Sequence, residues 1–296
     1  MRNVLYKWYE KSPSLRRFYK ESWFGTKIIR QMINAPYYVK WKIISVIQYL
    51  ESLPRKFNLK NEKYLPLKAL KNTYKGKRIF VTCTGPSLTI EDLELLKNEY
   101  VFGMNSIAMI HNKTQWKPDF FGIQDMNVWN KISDYIKNTD NGLVFIPARF
   151  DKLGDMPNSW IRFHVSYAYH MFDLCRTHKY FTKFSDDCYR TVYDGYSITY
   201  SILQLVAYMG FDEIYLLGAD CTYMGQKKNF IEHGNLDPTV MHATDRLYAS
   251  YAEAKKYAEN HGIKIFNATR GGCLELFERV KLEDILQENY KNKIVQ

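Results

Sequence analysis

A chain of 296 residues that is 46% hydrophobic and 25% charged carries enough apolar material for one large core, or a core with an appendage, which excludes a disordered chain. Its five cysteines, Cys83, Cys175, Cys188, Cys221 and Cys273, form no CxxC pair and no metal-ligand spacing; this excludes a zinc module and fits reduced thiols in a cytoplasm. The net charge of +11 is uneven, with 13 Lys or Arg against three Glu in residues 1–60, so the remainder is nearly neutral and nucleic acid is excluded as the main partner.

The basic segment comes first in the chain and interleaves charge with large aromatics. Trp8, Phe18, Trp23, Tyr37 and Trp41 stand among Arg16, Arg17, Lys27, Arg30 and Lys40. Two readings of residues 1–60 stand side by side. Helices of this composition suit an anionic membrane surface, with apolar faces in the headgroup boundary and cations toward lipid. They equally suit an appendage packed on the core, or on a second subunit of a homo-oligomer, with long cationic stems covering apolar surface. No run of 18 apolar residues and no signal-peptide pattern occurs, so the expectation is a cytoplasmic protein, at most peripheral to the inner face of the cell membrane. Pro36 and Pro54 divide the segment into two or three helices, and the polar stretch from Lys56 to Lys63 reads as a linker. The boundary is expected near residue 75, giving a basic helical N-terminal extension (1–75) and one larger domain (76–296).

From Lys77 onward, short β-branched and aromatic runs alternate with helical patterns, the rhythm of an α/β, Rossmann-like fold: a mostly parallel sheet flanked by helices. Strands are predicted at Arg78 to Cys83, Tyr100 to Met104, Phe120 to Gln124, Leu143 to Pro147, Ile161 to Val165, Glu213 to Gly218 and Lys264 to Asn267. Helices are predicted after Thr89, between Ser197 and Met209, and from Ala243 to Asn260, the last two stopped by Gly210 and Gly262. Such a sheet binds ligands at the carboxyl ends of its strands.

The first of these ends runs from RIFVTC into Thr84, Gly85, Pro86 and Ser87, followed by a helix start. A glycine lets the main chain come close to a ligand, and backbone donors near a helix N-terminus favour an anion, so the turn suits a phosphate. A plain turn with Ser87 or Thr89 as helix cap fits the same four residues. The turn is neither a Walker motif nor GxGxxG. Further strand ends carry Asn105, Gln124, Asp125 and Asp220, and Ser197 opens a helix. Amides, carboxylates and a hydroxyl converging on one crevice suit ribose hydroxyls and the edge of a base.

The stretches CTGPSL (83–88), FGMNS (102–106), DGYSITYSILQLVAYMGFDEIYLLGAD (194–220), MHATD (241–245) and IKIFNAT (263–269) resemble one superfamily. It joins bacterial lipooligosaccharide sialyltransferases, flagellin-modifying motility accessory factors and archaeal 6-hydroxymethylpterin diphosphokinases, and the resemblance covers roughly residues 76–280. The sialyltransferase turn reads Gly-Asn-Gly-Pro-Ser; here Cys83 and Thr84 replace its first two residues, while Gly85, Pro86 and Ser87 match. By this resemblance Asn105 holds the cytosine or ribose of a CMP-sugar, and Gln124 or Asp125 stands near a third amide position. Thr222 and Tyr223 correspond to a lid region beside the donor phosphate.

The resemblance also implies a general base, His242, just before a late helix. An imidazole of near-neutral pKa suits removal of the acceptor hydroxyl proton as the phosphate leaves. His233 is a second candidate, and Lys227 and Lys228 suit a phosphate, an acceptor or simply a solvated loop. No DxD sequence is present, and a CMP donor, with one phosphate, needs no metal. Three functions remain open. The first is a glycosyltransferase of cell-surface glycans that uses a CMP-activated sugar and a glycan or lipid-linked acceptor, with no cofactor. The second is an ATP-dependent diphosphokinase that needs Mg²⁺, held by some of Asp125, Asp220 and Asp245. The third is a non-catalytic nucleotide-binding protein.

Overall fold

The computed structural model describes residues 11–14, 17, 30–59, 61–110, 113–169, 171, 180–221 and 243–287, with backbone alone at 30–34 and 243. Helix α1 (Arg30–Lys56) runs unbroken through Pro36 and Pro54, so the expected division into two or three helices does not hold for this stretch. A proline lacks the amide that would join the ladder and crowds the carbonyl of the preceding turn; near Pro54 the buried Ser52 and Arg55 tie the helix to the main body. What ends α1 is Asn58, which is left-handed (φ 52°). Its amide donates to the Arg55 carbonyl (3.3 Å) and the Leu59 amide to the Pro54 carbonyl (2.8 Å), a Schellman closure made with Asn where Gly is usual.

A single 3-10 turn (Glu62–Tyr64) leads into α2 (Leu65–Ala69) and then β1 (Arg78–Thr82). The order continues with α3 (Ile90–Leu95), β2 (Val101–Met104), β3 (Phe120–Gly122), α4 (Met126–Asn138), β4 (Leu143–Pro147) and β5 (Ile161–Phe163). After these come β6 (Val165–Ser166), β7 (Val192–Tyr193), α5 (Ile198–Met209), β8 (Glu213–Leu217), α6 (Ala243–His261), β9 (Lys264–Asn267) and β10 (Glu278–Arg279). All seven predicted strands and the three predicted helices of the main body are present. The sequence reading did not name α4, although Val128, Trp129, Ile132 and Ile136 are its buried residues at helical spacing.

Eight strands form one parallel sheet in the order β10-β9-β8-β1-β2-β3-β4-β5, and β6 and β7 form a separate parallel pair. Alternation along β1 and β8 supplies both faces. Ile79, Val81, Ile214 and Leu216 join a core with α5 and α6, while Phe80, Tyr215 and Leu217 join a second core with α3 and α4. Helix α5 is buried almost all round, which explains its nearly continuous apolar sequence, and it stops at Gly210 (φ 96°). From β1 the chain adds strands outward to β5, then returns to place β8 on the other side of β1. The topological switch point therefore lies between β1 and β8. Among the described residues, no helix is long and apolar enough to cross a membrane.

Candidate functional site

Beyond the switch point the ladder between β1 and β8 continues, because the Cys83 amide donates to the Leu217 carbonyl (2.8 Å) and the Gly85 amide to the Gly218 carbonyl (2.9 Å). The turn at 84–87 is thus pressed against residues 218–220. Gly85 is the only residue type that fits: an added Cβ would lie 2.8 Å from Asp220 Cγ and nearer still to its Oδ2 and to the Gly218 oxygen. Gly218 itself is left-handed (φ 64°) and abuts the Cys83 carbonyl. The Ser87 hydroxyl donates to Asp220 Oδ2 (2.8 Å), and Ser87 is not among the residues lining the cleft. Thr89 caps α3 in a capping box with Asp92, as one of the two readings of this turn expected.

A cleft of about 340 Å³ opens over these carboxyl ends. Thr84, Gly85, Pro86, Asn105, Gln124, Asp125, Ser197 and Asp220, eight of the residues singled out in the sequence, line it together. Thr222, Tyr223, His233, Lys227, Lys228 and His242 lie outside the described residues. The cleft also takes in Arg149, which follows β4, and Asp194 and Tyr196, which follow β7; sequence reasoning missed all three. Arg149 carried a legible signal, as the first cation after a strand's carboxyl end.

Most polar groups on the wall are already engaged. Asp125 Oδ1 accepts the Asn127 (2.6 Å) and Val128 (3.2 Å) amides as the N-cap of α4, and Ser197 Oγ accepts the Thr199 amide (3.1 Å) at the start of α5. Gln124 accepts from Ser201 Oγ (2.7 Å) and donates to Asp194 Oδ1 (3.2 Å), so its side chain aims the Asp194 carboxylate. Arg149 donates to the Gln124 carbonyl (3.0 Å) and lies over the ring of Tyr167, 5.4 Å from its centroid. Two wall atoms differ: Asn105 Oδ1 and Arg149 Nε are buried with no hydrogen-bond partner. Leaving such groups unmet costs about 1–3 kcal/mol each, which is tolerated where a ligand completes them.

Backbone strain gathers at the same place. Of the five left-handed non-glycine residues in the described chain, Asn105 (φ 49°), Tyr196 (φ 71°) and Cys221 (φ 54°) line the cleft. Tyr196 is held there by its amide bond to Asp194 Oδ1 (3.2 Å) and by its hydroxyl, which donates to the Phe181 carbonyl (3.3 Å). The two thiols on the wall offer no nucleophile: burial pushes Cys83 up to about 12 and raises Cys221 as well. Among the described lining residues, three carboxylates, Asp125, Asp194 and Asp220, face one cation, Arg149. Among the described residues, no group of three or more His, Cys, Asp or Glu is placed to hold a metal ion. Helix α6 contributes Leu247 and Tyr251 to the lining, and its Thr244 hydroxyl donates to the Cys221 carbonyl (3.0 Å).

The family model described as 6-hydroxymethylpterin diphosphokinase MptE-like matches residues 56–226, from the end of α1 through β8. Among solved structures, the MAf glycosyltransferase from Magnetospirillum magneticum AMB-1 is similar over 79% of this chain at 12% identity, with a TM-score of 0.43. This chain covers 41% of that protein's length. None of the curated proteins matches the chain.

Proposed function

This chain belongs to the family of 6-hydroxymethylpterin diphosphokinase MptE-like proteins, and from that premise we propose that it is a glycosyltransferase whose cleft takes a CMP-activated sugar or a related nucleotide donor. The single observation that carries this reading is the pair of buried, unpartnered atoms on the cleft wall. Asn105 Oδ1 is an acceptor suited to a base amino group or a ribose hydroxyl, and Arg149 Nε is a donor suited to a phosphate or a sugar carboxylate.

Charge favours a donor with few phosphates. With three carboxylates against one guanidinium on the described walls, a triphosphate meets more repulsion than a single phosphodiester. Mg²⁺ would be required for the diphosphokinase alternative, which the family's description favours, whereas the proposed transfer calls on the chain's own residues. The chemistry proposed is loss of the acceptor hydroxyl proton to His242, formation of the new glycosidic bond, and departure of the nucleotide phosphate with the bonding pair. That assignment rests on the resemblance of MHATD to the family's base position, and it agrees with a helix start tied by Thr244 to the end of the β8 segment.

The test is release of nucleotide from CMP-, UDP- and GDP-sugars by purified protein, alone and with candidate glycan acceptors. CMP release that His242→Ala lowers by about a hundredfold or more is expected of a general base. Undiminished turnover in His242→Ala would remove the base from the account, and no release from any sugar nucleotide would remove the transferase.

A further inference from the structure

Helix α1 is inverted relative to a helix that covers a core. Its inward face is polar: Gln48, Ser52 and Arg55 are buried. Gln48 donates to the Val165 carbonyl (3.4 Å) and accepts the Ala168 amide (3.0 Å). Arg55 Nε donates to the Arg190 carbonyl (2.9 Å), and Arg190 Nε donates to the Ser52 hydroxyl (3.3 Å). The outward face is apolar. Val39, Ile43, Val46 and Leu50, four, three and four residues apart, are 48–55% exposed, and Ile47 stands beside them. Phe57, seven residues beyond Leu50, is exposed just past the helix end. This spacing sets the side chains along one stripe of the helix, and a contiguous apolar stripe turned to water marks a surface that is covered in use.

Charge selects the cover. Lys40 and Lys42 flank the stripe near one end and Lys56 the other, within a segment of residues 1–60 that holds 13 Lys or Arg against three Glu. The one acidic residue of α1, Glu51, faces His164 (3.4 Å). A second copy of α1 laid along the stripe would bring like-charged lysines together while Glu51, the one carboxylate of α1, is turned to His164 on the inner face, whereas anionic headgroups complement the same lysines. We propose that α1 docks the protein on an anionic lipid surface, with Val39, Ile43, Val46 and Leu50 in the acyl boundary and the flanking lysines among the headgroup phosphates.

The docking helix is joined to the cleft through a chain of ring contacts. Trp41 meets Tyr167 edge to face (centroids 6.5 Å apart), and Tyr167 carries the Arg149 guanidinium at 5.4 Å. Lipid docking stands independently of which nucleotide the cleft takes.

Full-length protein is sedimented with vesicles of phosphatidylglycerol and phosphatidylcholine in equal parts, and with vesicles of phosphatidylcholine alone. The expected result is binding to the anionic vesicles that is about tenfold or more tighter than to the neutral ones. The double substitution I43E/L50E is expected to weaken it about tenfold or more, with an unchanged melting temperature because both side chains are exposed. Lys40→Glu, which leaves the stripe intact, is expected to weaken only the anionic binding, by about fivefold. No binding by the wild type, binding indifferent to vesicle charge, or binding that survives I43E/L50E overturns the proposal. A dimer in sedimentation equilibrium that I43E/L50E dissociates also overturns it, in favour of a second copy.

Discussion

Asn105 combines the two features that set the cleft apart: a left-handed backbone at φ 49° and a buried amide oxygen with no partner. Both cost stability, and both are the features expected of a residue that the proposed function assigns to a ligand. Asn105→Gly separates these roles, because glycine adopts the same backbone while removing the carboxamide. The expected outcome is thermal stability within about 1 kcal/mol of the wild type. Nucleotide affinity is expected to fall by about tenfold or more, the loss of one buried hydrogen bond. Calorimetry and thermal melting of the same preparation check both halves, and a variant that melts early yet binds normally would make Asn105 a structural residue. Gly85 and Asp220 play a different part at this scale. Their contact welds the turn at 84–87 to the end of the β8 segment, where the Asp220 carboxylate is the acceptor for the Ser87 hydroxyl.

At the scale of elements, His164 shows how α1 is fastened. Its Nδ1 lies 3.0 Å from Thr191 Oγ1 and its Nε2 3.4 Å from Glu51 Oε2, which joins α1 to the segments around β6 and β7. Burial, and then the charge of Arg55, push His164 down to about 4 despite Glu51. With the folded value below the unfolded one near 6.5, the unfolded chain takes up this proton first. The stability His164 contributes is therefore intact above about pH 6.5 and lost as pH falls toward 4. The loss is on the order of 3 kcal/mol at most. Melting temperature measured between pH 7 and pH 4.5 is expected to fall less steeply in His164→Gln than in the wild type; equal slopes would show that His164 does not govern this window.

The elements differ in how far their sequence announced them. Strands such as RIFVT and EIYLL were legible because a strand buried on both faces is a short β-branched and aromatic run. Helix α4 was equally periodic, but Asp125 was read as a ligand and not as the cap that starts it. The course of α1 was obscured by its two prolines, and its stop by the use of Asn58 in a place where Gly is the usual signal. The inverted burial of α1 has no local signature at all, since a helix with one apolar stripe looks the same whichever way the stripe faces.

For the whole molecule, the site follows from topology. A parallel sheet that grows outward from β1 and then returns on its other side leaves its crevice over β1 and β8. Thr84, Gly85, Asn105, Gln124 and Asp220 sit at the ends of the strands that border it, and this is why they were legible from strand positions alone. Arg149 lies in the 3-10 turn that follows β4 of the same sheet, whereas Asp194 and Tyr196 come from the loop after β7, and their place in the cleft depends on how the small β6–β7 pair sits against the main sheet.

The proposed function requires that this cleft bind a nucleotide carrying few phosphates without help from a metal. Calorimetric titration with CMP and with ATP, each with and without Mg²⁺, tests it most directly. CMP binding is expected to be indifferent to Mg²⁺, and ATP binding weaker or absent. Mg²⁺-dependent ATP binding, with none for CMP, would contradict it and make the protein a diphosphokinase.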